Sequence, residues 1–409
     1  MQSEEKRKEV FERLPEASAL RIMVVPSVIS QLIVLIYNMA DTFYVGQTGN
    51  PYMVAATSLI LPVFNITLCL AGLAGIGGGA LISRLLGRGM EEEARRVSLF
   101  SIGLALLVAA AFSVGTGLFM KELLGILGAG ENTYRFARQY ALCVIVFGGI
   151  PTVLSNVLSN LIRSIGRSRE AGTGIILGGQ SVITFNPRVG KAGRESVKAV
   201  FAVGIPSAVA TLLFDLDYVI IDKLMVSYHD LALAAIGIVL KVERFPLNVG
   251  IGICQGMLPL VAYNYASGNW KRMKKIIRLA AGVGLVTALI SILLYQLFAP
   301  QLSRLFISDA QTLEMASRFL RIRVLATPLM FLSFFTVYLF QAFGMGKKSL
   351  FLGMMRWLVF NIPMLFLLNR LVGMYGIVWS QAAADILTVT LSACVYRKFA
   401  PREGAALNS

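Results

Sequence analysis

The sequence has few charged residues and only one histidine, and both shortages exclude whole classes of protein. Asp, Glu, Lys and Arg make up 15% of the 409 residues, whereas hydrophobic residues make up 56%. This balance excludes an ordinary soluble globular protein. The single histidine, His229, gives no basis for histidine-based catalysis or a multi-histidine metal site. A membrane enzyme acting on lipids would need clustered His, Asp or Glu near an interface, and the sequence has none. We therefore expect a membrane protein that is not an enzyme and needs no cofactor.

Cysteine is also scarce. The four cysteines are spread singly through apolar runs, without the Cys-x-x-Cys spacing of a metal site or redox pair: Cys69, Cys143, Cys254 and Cys394. We expect small buried hydrophobic side chains rather than disulfides or metal ligands.

Long apolar runs are what the sequence does have. A spanning helix needs roughly 20 mostly apolar residues. Ten runs meet this length, at approximately 22–45, 54–82, 97–119, 139–162, 199–226, 232–262, 276–299, 322–343, 350–371 and 374–396. The sequence therefore predicts an all-α polytopic membrane protein.

The basic residues are unevenly shared between the two sides of this predicted bundle. Of the 38 Lys and Arg, 27 lie in segments on the same side as the N-terminus and 8 in the opposite loops. This is the positive-inside pattern, which predicts cytoplasmic N- and C-termini. The net charge of +16 thus reflects orientation, and we expect no nucleic-acid partner.

The chain repeats itself with an offset of about 179 residues. "PSVISQLIVLIYNMAD" from Pro26 resembles "PSAVATLLFDLDYVIID" from Pro206, and the segment ending at Gly89 aligns without gaps with that ending at Gly268. Both copies begin on the same side, so a two-fold axis along the membrane normal and a cleft between two lobes are expected.

The two copies differ in length. The second holds six predicted spans and the first only four, because the apolar part of "EAGTGIILGGQSVITF" is too short to cross a bilayer. A hairpin of roughly 35 to 40 residues is missing, and the loss of two spans together preserves orientation. The predicted boundaries are a lead-in at 1–21, a first lobe at 22–185 with a stub at 173–185, a basic linker at 186–198, a second lobe at 199–399 and a tail at 400–409.

Polar residues follow one stripe of the first span: Ser27, Gln31, Asn38 and Asp41. A polar stripe on a spanning helix faces the bundle interior or a water-filled cavity. Ser58, Pro62 and Asn65 on the second span share a face in the same way and are candidates to line that cavity. Two interpretations of Asp41 are open: it exchanges a cation, or it only caps the following loop or forms an ion pair. For Pro62, the kink either frees a carbonyl that binds a cation or serves packing alone.

The second half carries more charge within its spans. Asp215 and Asp222 share a face, whereas Asp217 points elsewhere; Lys241, Arg244 and Asn248 share another, with Glu243 displaced from it. Because lone charges are costly in a membrane, we expect an ion-paired network, for example between Asp215 and Lys241. A second coupling site and a structural clamp both fit this pattern.

Four motifs resemble the multidrug and toxic compound extrusion family of transporters: "YNMADTFYVG", "GIGGGALISRLLGRG", "QGMLPLVAYNYASGN" and "FQAFGMGKKSL". The resemblance implies twelve spans in two six-helix lobes, of which this chain lacks most of the fifth and sixth. It also implies export of amphipathic, often cationic, compounds in exchange for protons or sodium. It places the coupling carboxylate, a candidate sodium ligand, at Asp41.

The combined expectation is a cation-coupled antiporter that exports cationic drugs by alternating access. We expect a monomer in the inner membrane of a bacterium, with small organic molecules and the bilayer as its partners. A flippase for a lipid-linked precursor and a truncated remnant that does not transport are the alternatives. The flippase would favour a strongly basic cleft, yet the basic residues that are not assigned to a segment between spans are only Lys223, Lys241 and Arg244.

Overall fold

The computed structural model describes residues 5, 7–48, 50–173, 182–186, 189–307 and 309–400, and over these ranges every regular element is a helix. The helices are α1 (Glu16–Gly46), α2 (Pro51–Gly87), α3 (Glu91–Leu118), α4 (Met120–Ile126), α5 (Glu131–Ala141), α6 (Gly149–Ser164), α7 (Ser168–Thr173), α8 (Arg194–Val226), α9 (Asp230–Ala266), α10 (Trp270–Arg304), α11 (Ala310–Val324), α12 (Thr327–Ala342), α13 (Gly346–Met354), α14 (Ile362–Val372) and α15 (Met374–Phe399). There are also three π-helical segments. Glu9–Arg13 precedes α1, Leu142–Phe147 extends α5, and Met355–Asn361 joins α13 to α14. The predicted all-α fold is confirmed.

The described helices account for all ten predicted spans. Eight are long and apolar enough to cross a membrane by themselves, α13 and α14 counting as one, and two more are bent pairs. The pair α5–α6 bends by 44° and the pair α11–α12 by 48°. Pro151 and Pro328 stand just after the two breaks. Proline has no N–H to donate and clashes with the preceding turn, so both helices break at equivalent places.

The internal repeat is visible in the helix boundaries. α2 and α9 each have 37 residues, and their first residues, Pro51 and Asp230, are 179 positions apart. α3 and α10 begin 179 residues apart, as do α5 and α11. Gly89 and Gly268 follow α2 and α9 with φ of 75° and 74°, a left-handed conformation that favours glycine. The chain therefore forms two lobes, α1 to α7 and α8 to α15.

The lobes differ after their bent pairs. The second continues into α13, α14 and α15, whereas the first has only α7, six residues long, at the position where α13 begins. Residues 174–181 lie outside the described residues, and with them most of the predicted stub at 173–185. The described residues from 182 to the start of α8 hold no further helix of spanning length.

The absent hairpin leaves one face of α1 uncovered. In the second lobe, Trp357 and Asn361 of the π-helical segment pack on Phe214 and Asp217 of α8. The residues of α1 at the equivalent positions, Val34 and Tyr37, are 40% and 60% exposed.

All four cysteines are free thiols. Cys69 and Cys254 are buried as expected, whereas Cys143 and Cys394 are exposed on the outside of the bundle. The prediction of burial is wrong for the second pair, because an apolar run on a spanning helix includes its outward face.

Candidate functional site

The two lobes meet most closely on the side where α1 and α8 begin and α2 and α9 end, called here the N-terminal side. α2 packs along α8 at Gly204, where an added Cβ would lie 2.0 Å from the carbonyl oxygen of Leu73. α1 packs along α9 at Gly256, where an added Cβ would lie 2.6 Å from the Cα of Val24. Backbone therefore meets backbone across the lobe interface, and only glycine allows this approach.

The segment before α1 ties the lobes together on the same side. Phe11 is fully buried and stacks on Tyr263 of α9, with 4.6 Å between ring centroids. Its carbonyl oxygen accepts a hydrogen bond from Nε of Arg272 at 2.8 Å. Arg7 of the same segment forms an ion pair with Glu91 of the first lobe. The predicted lead-in is thus an N-terminal strap (residues 7–16) that contacts both lobes.

A polar cluster crosses the interface beside these contacts. Gln31 of α1 donates to Oε1 of Gln255 on α9 at 2.8 Å. Arg163, at the end of α6, donates to the same oxygen at 3.1 Å. Tyr338 on α12 lines the same small cavity as Gln255 and Arg163. Gln31 was a predicted site residue, whereas the other three were missed because they lie outside the predicted polar stripes.

A second contact joins two predicted site residues from opposite lobes. Nδ2 of Asn65 on α2 donates to Oδ1 of Asp215 on α8 at 2.9 Å. The expected pairing of Asp215 with Lys241 is wrong, because Lys241 is exposed on α9 and the ion pairs of the described residues do not join it to Asp215. A neutral amide, rather than a cation, is the partner of Asp215.

The other predicted residues of the first lobe lie apart from this contact. Ser27 is fully buried; its hydroxyl donates to the carbonyl of Met23 at 2.8 Å and lies 3.2 Å from that of Ser168 on α7. It is therefore packed between α1 and α7 and is not open to a cavity. Ser58 and Pro62 are exposed on α2, which runs through Pro62 as one helix.

Asn38 and Asp41 lie on α1, but their side chains are outside the part of the structure that is described. Their place in a coupling site stays a prediction, and so does a sodium ion at Asp41. Among the described residues, no group of three or more His, Cys, Asp or Glu is arranged to hold a metal ion.

The second lobe contains a buried network of charged groups. Arg323 on α11 donates from Nε and Nη2 to the two carboxylate oxygens of Glu243, at 2.6 and 3.0 Å. Arg356 donates to both oxygens of Asp385 at 2.9 and 3.3 Å. All four side chains are buried. The expected ion-paired network exists, but Glu243 is its only member among the predicted site residues, and its partner Arg323 was not predicted.

Asp217 belongs to the same buried region and has a different partner. It is 3% exposed and accepts a hydrogen bond from Nδ2 of Asn361 at 2.5 Å. Arg244 instead lies over the ring of Tyr218 at 5.3 Å, and Asn248 donates to the carbonyl of Arg244 on its own helix. Asp217 is therefore buried like Glu243 and Asp385, but its hydrogen-bond donor is an amide rather than a guanidinium.

Comparison with protein families agrees with this architecture. The MatE family model matches the chain twice in succession, at residues 26–179 and 190–367. The multidrug export protein MepA of Staphylococcus aureus is 28% identical over 429 aligned positions, which cover 92% of each chain. The MepA of Staphylococcus saprophyticus is 27% identical over 419 positions with the same coverage.

Solved structures show the same fold. A crystal structure of MATE in complex with MaL6 superposes with a TM-score of 0.89 at 19% identity and covers 95% of this chain and 97% of its own. The outward-facing conformation of a multidrug resistance MATE family transporter of the MOP superfamily gives 0.88 at 19% identity, with 94% and 96% covered. At this identity the likeness establishes the fold alone.

The Staphylococcus aureus relative also has residues that this chain lacks. The alignment with the Staphylococcus aureus protein is longer than the 409 residues of this chain, so that protein has residues without a counterpart here. The family model and the staphylococcal relatives identify a transporter rather than an enzyme. The chain belongs to the MatE family and is a multi-pass membrane protein of the multidrug efflux type.

Proposed function

We propose that this chain is a cation-coupled antiporter that exports amphipathic, cationic organic compounds by rocking its two lobes about their interface. The observation that carries the proposal is the pairing of polar groups from opposite lobes, Gln31 with Gln255 and Asn65 with Asp215. These contacts form only while the lobes are together, so they distinguish the closed from the open arrangement. The names of the staphylococcal relatives support drugs as the cargo.

Asp41 is the proposed coupling residue. It lies on α1, ten residues beyond Gln31, within a family match that begins at residue 26. A carboxylate on a spanning helix is energetically costly, so such residues are rare and usually have a function. Exchange of a proton or sodium ion is one such function. One charge moved through 100 mV provides about 2.3 kcal/mol, enough for about a fifty-fold gradient of exported compound.

The test is export of a fluorescent cationic dye by purified protein in proteoliposomes, with an imposed proton or sodium gradient. Asp41→Asn should abolish the gradient-driven part of export. Asp309→Asn is the matched control, because Asp309 caps α11 from an exposed position and asparagine also caps helices well. Export by Asp41→Asn at the parent rate would refute the coupling role, and the choice between the two ions follows from which gradient drives export.

The uncovered face of α1 favours one competing proposal, a chain that keeps the fold without transporting. Tyr37 is 60% exposed where its counterpart Asp217 is covered by Asn361. Insertion of a MATE-type hairpin after Gly174 separates the two proposals. If export appears only in the extended protein, the chain as it stands is a remnant.

The proposed function also implies a membrane location, an orientation and an oligomeric state. We place the protein in the bacterial inner membrane with both termini in the cytoplasm, as a monomer. The relatives are bacterial proteins, and the excess of basic residues on the N-terminal side supports this orientation.

A further inference from the structure

A small cavity lies between the lobes, next to the polar cluster of Gln31 and Gln255. Its walls come from both lobes, with Asn160 and Arg163 on one side and Gln255 and Tyr338 on the other. Its volume is about 20 Å³, and a cavity of roughly 10 to 15 Å³ is enough to hold one water molecule. It therefore has room for one small polar group.

Arg163, the one cationic side chain among the described residues that line this cavity, has hydrogen-bond partners that are neutral. Arg163 is 6% exposed; its Nη1 donates to Oε1 of Gln255 at 3.1 Å and is 3.4 Å from Oδ1 of Asn160. Its Nε has no hydrogen-bond partner, and it is in none of the ion pairs found among the described residues. By contrast, the equally buried Arg323 and Arg356 each bind a carboxylate through two hydrogen bonds.

This difference has an energetic consequence for Arg163. Moving a guanidinium out of water is expensive unless an anion compensates for it, and an amide oxygen compensates only in part. Within the protein, Gln255 supplies one oxygen where a carboxylate would supply two. Arg163 is therefore held in a site that an anionic oxygen would satisfy better than the present neighbours do.

The lobe interface determines when such a ligand can reach the site. Gln255 belongs to the second lobe, and Arg163 to the first. If the lobes separate on the N-terminal side, Gln255 withdraws and leaves the Arg163 guanidinium facing the opening. When the lobes close again, the Gln255 amide oxygen returns and competes with the bound anion.

We propose that Arg163 binds the carboxylate of the exported compound on the N-terminal side, and that return of Gln255 displaces it. The inference rests on the proposed export function and specifies its cargo as amphipathic cations that also carry a carboxylate. A guanidinium matches a carboxylate with two parallel hydrogen bonds. A phosphate dianion would call for a second cation, and the described residues lining the cavity include none besides Arg163.

The experiment uses a rhodamine free acid and its methyl ester, which share a fluorophore and a positive charge and differ in one carboxylate. Binding to purified protein is measured by fluorescence anisotropy, and export is measured in proteoliposomes. Arg163→Gln should weaken binding and export of the acid by about ten-fold or more, since hydrogen bonds to charged groups are the strong ones. The ester should change by less than about two-fold. Arg163→Lys should keep part of the preference for the acid.

Arg167→Gln is the matched control, because it makes the same change four residues further along and outside the cavity lining. A monodisperse protein with the parent thermal midpoint must be shown for each variant. Equal loss of acid and ester in a folded Arg163→Gln protein would overturn the proposal in favour of a structural role. No loss of either would overturn it as well.

Two further measurements identify the occupant of the site and separate its binding from export. If replacing chloride by gluconate impairs both dyes, and Arg163→Gln removes that dependence, the occupant is an inorganic anion and the carboxylate assignment is wrong. If the parent exports neither dye but still binds the acid more tightly than the ester through Arg163, the export function fails and the site stands.

Discussion

Removal of Arg323 tests whether the buried network of the second lobe stabilises the fold as a set of paired charges. Arg323 is 3% exposed and donates to both oxygens of Glu243, at 2.6 and 3.0 Å. The Arg323→Gln substitution leaves the Glu243 carboxylate, itself 7% exposed, without its cation. Breaking a buried pair by removing one partner costs about 3 to 5 kcal/mol. We expect the free energy of unfolding to fall by that amount.

The double variant separates the charge from the packing. Glu243→Gln combined with Arg323→Gln removes both charges and leaves two amides of similar reach. Because no uncompensated charge remains, its loss of unfolding free energy should be smaller than that of Arg323→Gln alone. The double-mutant cycle should therefore give a coupling energy of about 2 kcal/mol or more.

Unfolding by sodium dodecyl sulfate of protein purified in mild detergent, followed by circular dichroism, measures these energies. Arg318→Gln is the control, since Arg318 lies on the same helix and pairs with Glu314 while both side chains are more than 60% exposed. Such a surface pair contributes less than about 1 kcal/mol. If Arg323→Gln were as mild as this control, or if the two single effects simply added, the network would not stabilise the lobe through its charges.

Two further predictions concern the contacts that close the N-terminal side. Phe11→Ala removes a fully buried ring from the N-terminal strap and should cost about 3 to 5 kcal/mol of unfolding free energy. The control Phe119→Ala, at a position 64% exposed, should cost far less. Equal effects of the two substitutions would mean that the strap does not hold the lobes together. Gly204→Ala places a methyl group 2.0 Å from the Leu73 carbonyl oxygen and should impair dye export by keeping the lobes apart, whereas Gly237→Ala, with nothing within 4 Å of its Cβ, should export normally. Normal export by Gly204→Ala would show that close approach at this point is not required.

The sequence predicted the number of spans and their duplication but not the pairing of charges within a lobe. Arg323 is the second residue of the apolar run 322–343, and the count of basic residues by segment places it with the preceding loop. α11 begins at Ala310, which places Arg323 well inside the helical pair. The same count places Arg356 with a loop, although it falls within the apolar run 350–371; it lies in the π-helical segment between α13 and α14. An apolar window tolerates a single arginine but does not identify its partner, so neither buried ion pair could be predicted from the windows.

The contacts between lobes were also beyond the sequence. Gln31 and Asn65 were identified because polar residues on a spanning helix need a polar environment. Their partners, Gln255 and Asp215, depend on how two distant helices rotate against each other, which the period of one helix does not determine. The lead-in at 1–21 was predicted but its packing against both lobes was not, because Phe11 is a single aromatic residue in a charged stretch and the sequence does not identify its partners.

The shorter first lobe retains the point where the missing hairpin begins. In the second lobe, α13 starts against the backbone of α8, where an added Cβ on Gly346 would meet the carbonyl of Ala202. At the equivalent place in the first lobe, α7 starts against α1, and the hydroxyl of Ser168 donates to the carbonyl of Met23 at 2.8 Å. The chain thus departs from its own repeat only beyond α7.

The residues that the hairpin would have covered are consistent with its absence. Where α8 has Asp217, which accepts a hydrogen bond from Asn361 of the π-helical segment, α1 has Tyr37, which is 60% exposed. A bilayer solvates tyrosine at low cost but not an unpaired carboxylate. The first lobe therefore replaces a protein cover by lipid without exposing a charge at that position. A hairpin grafted after Gly174 would continue from a helix that is already seated on α1, so its effect on export reports on the cover itself rather than on a new docking site.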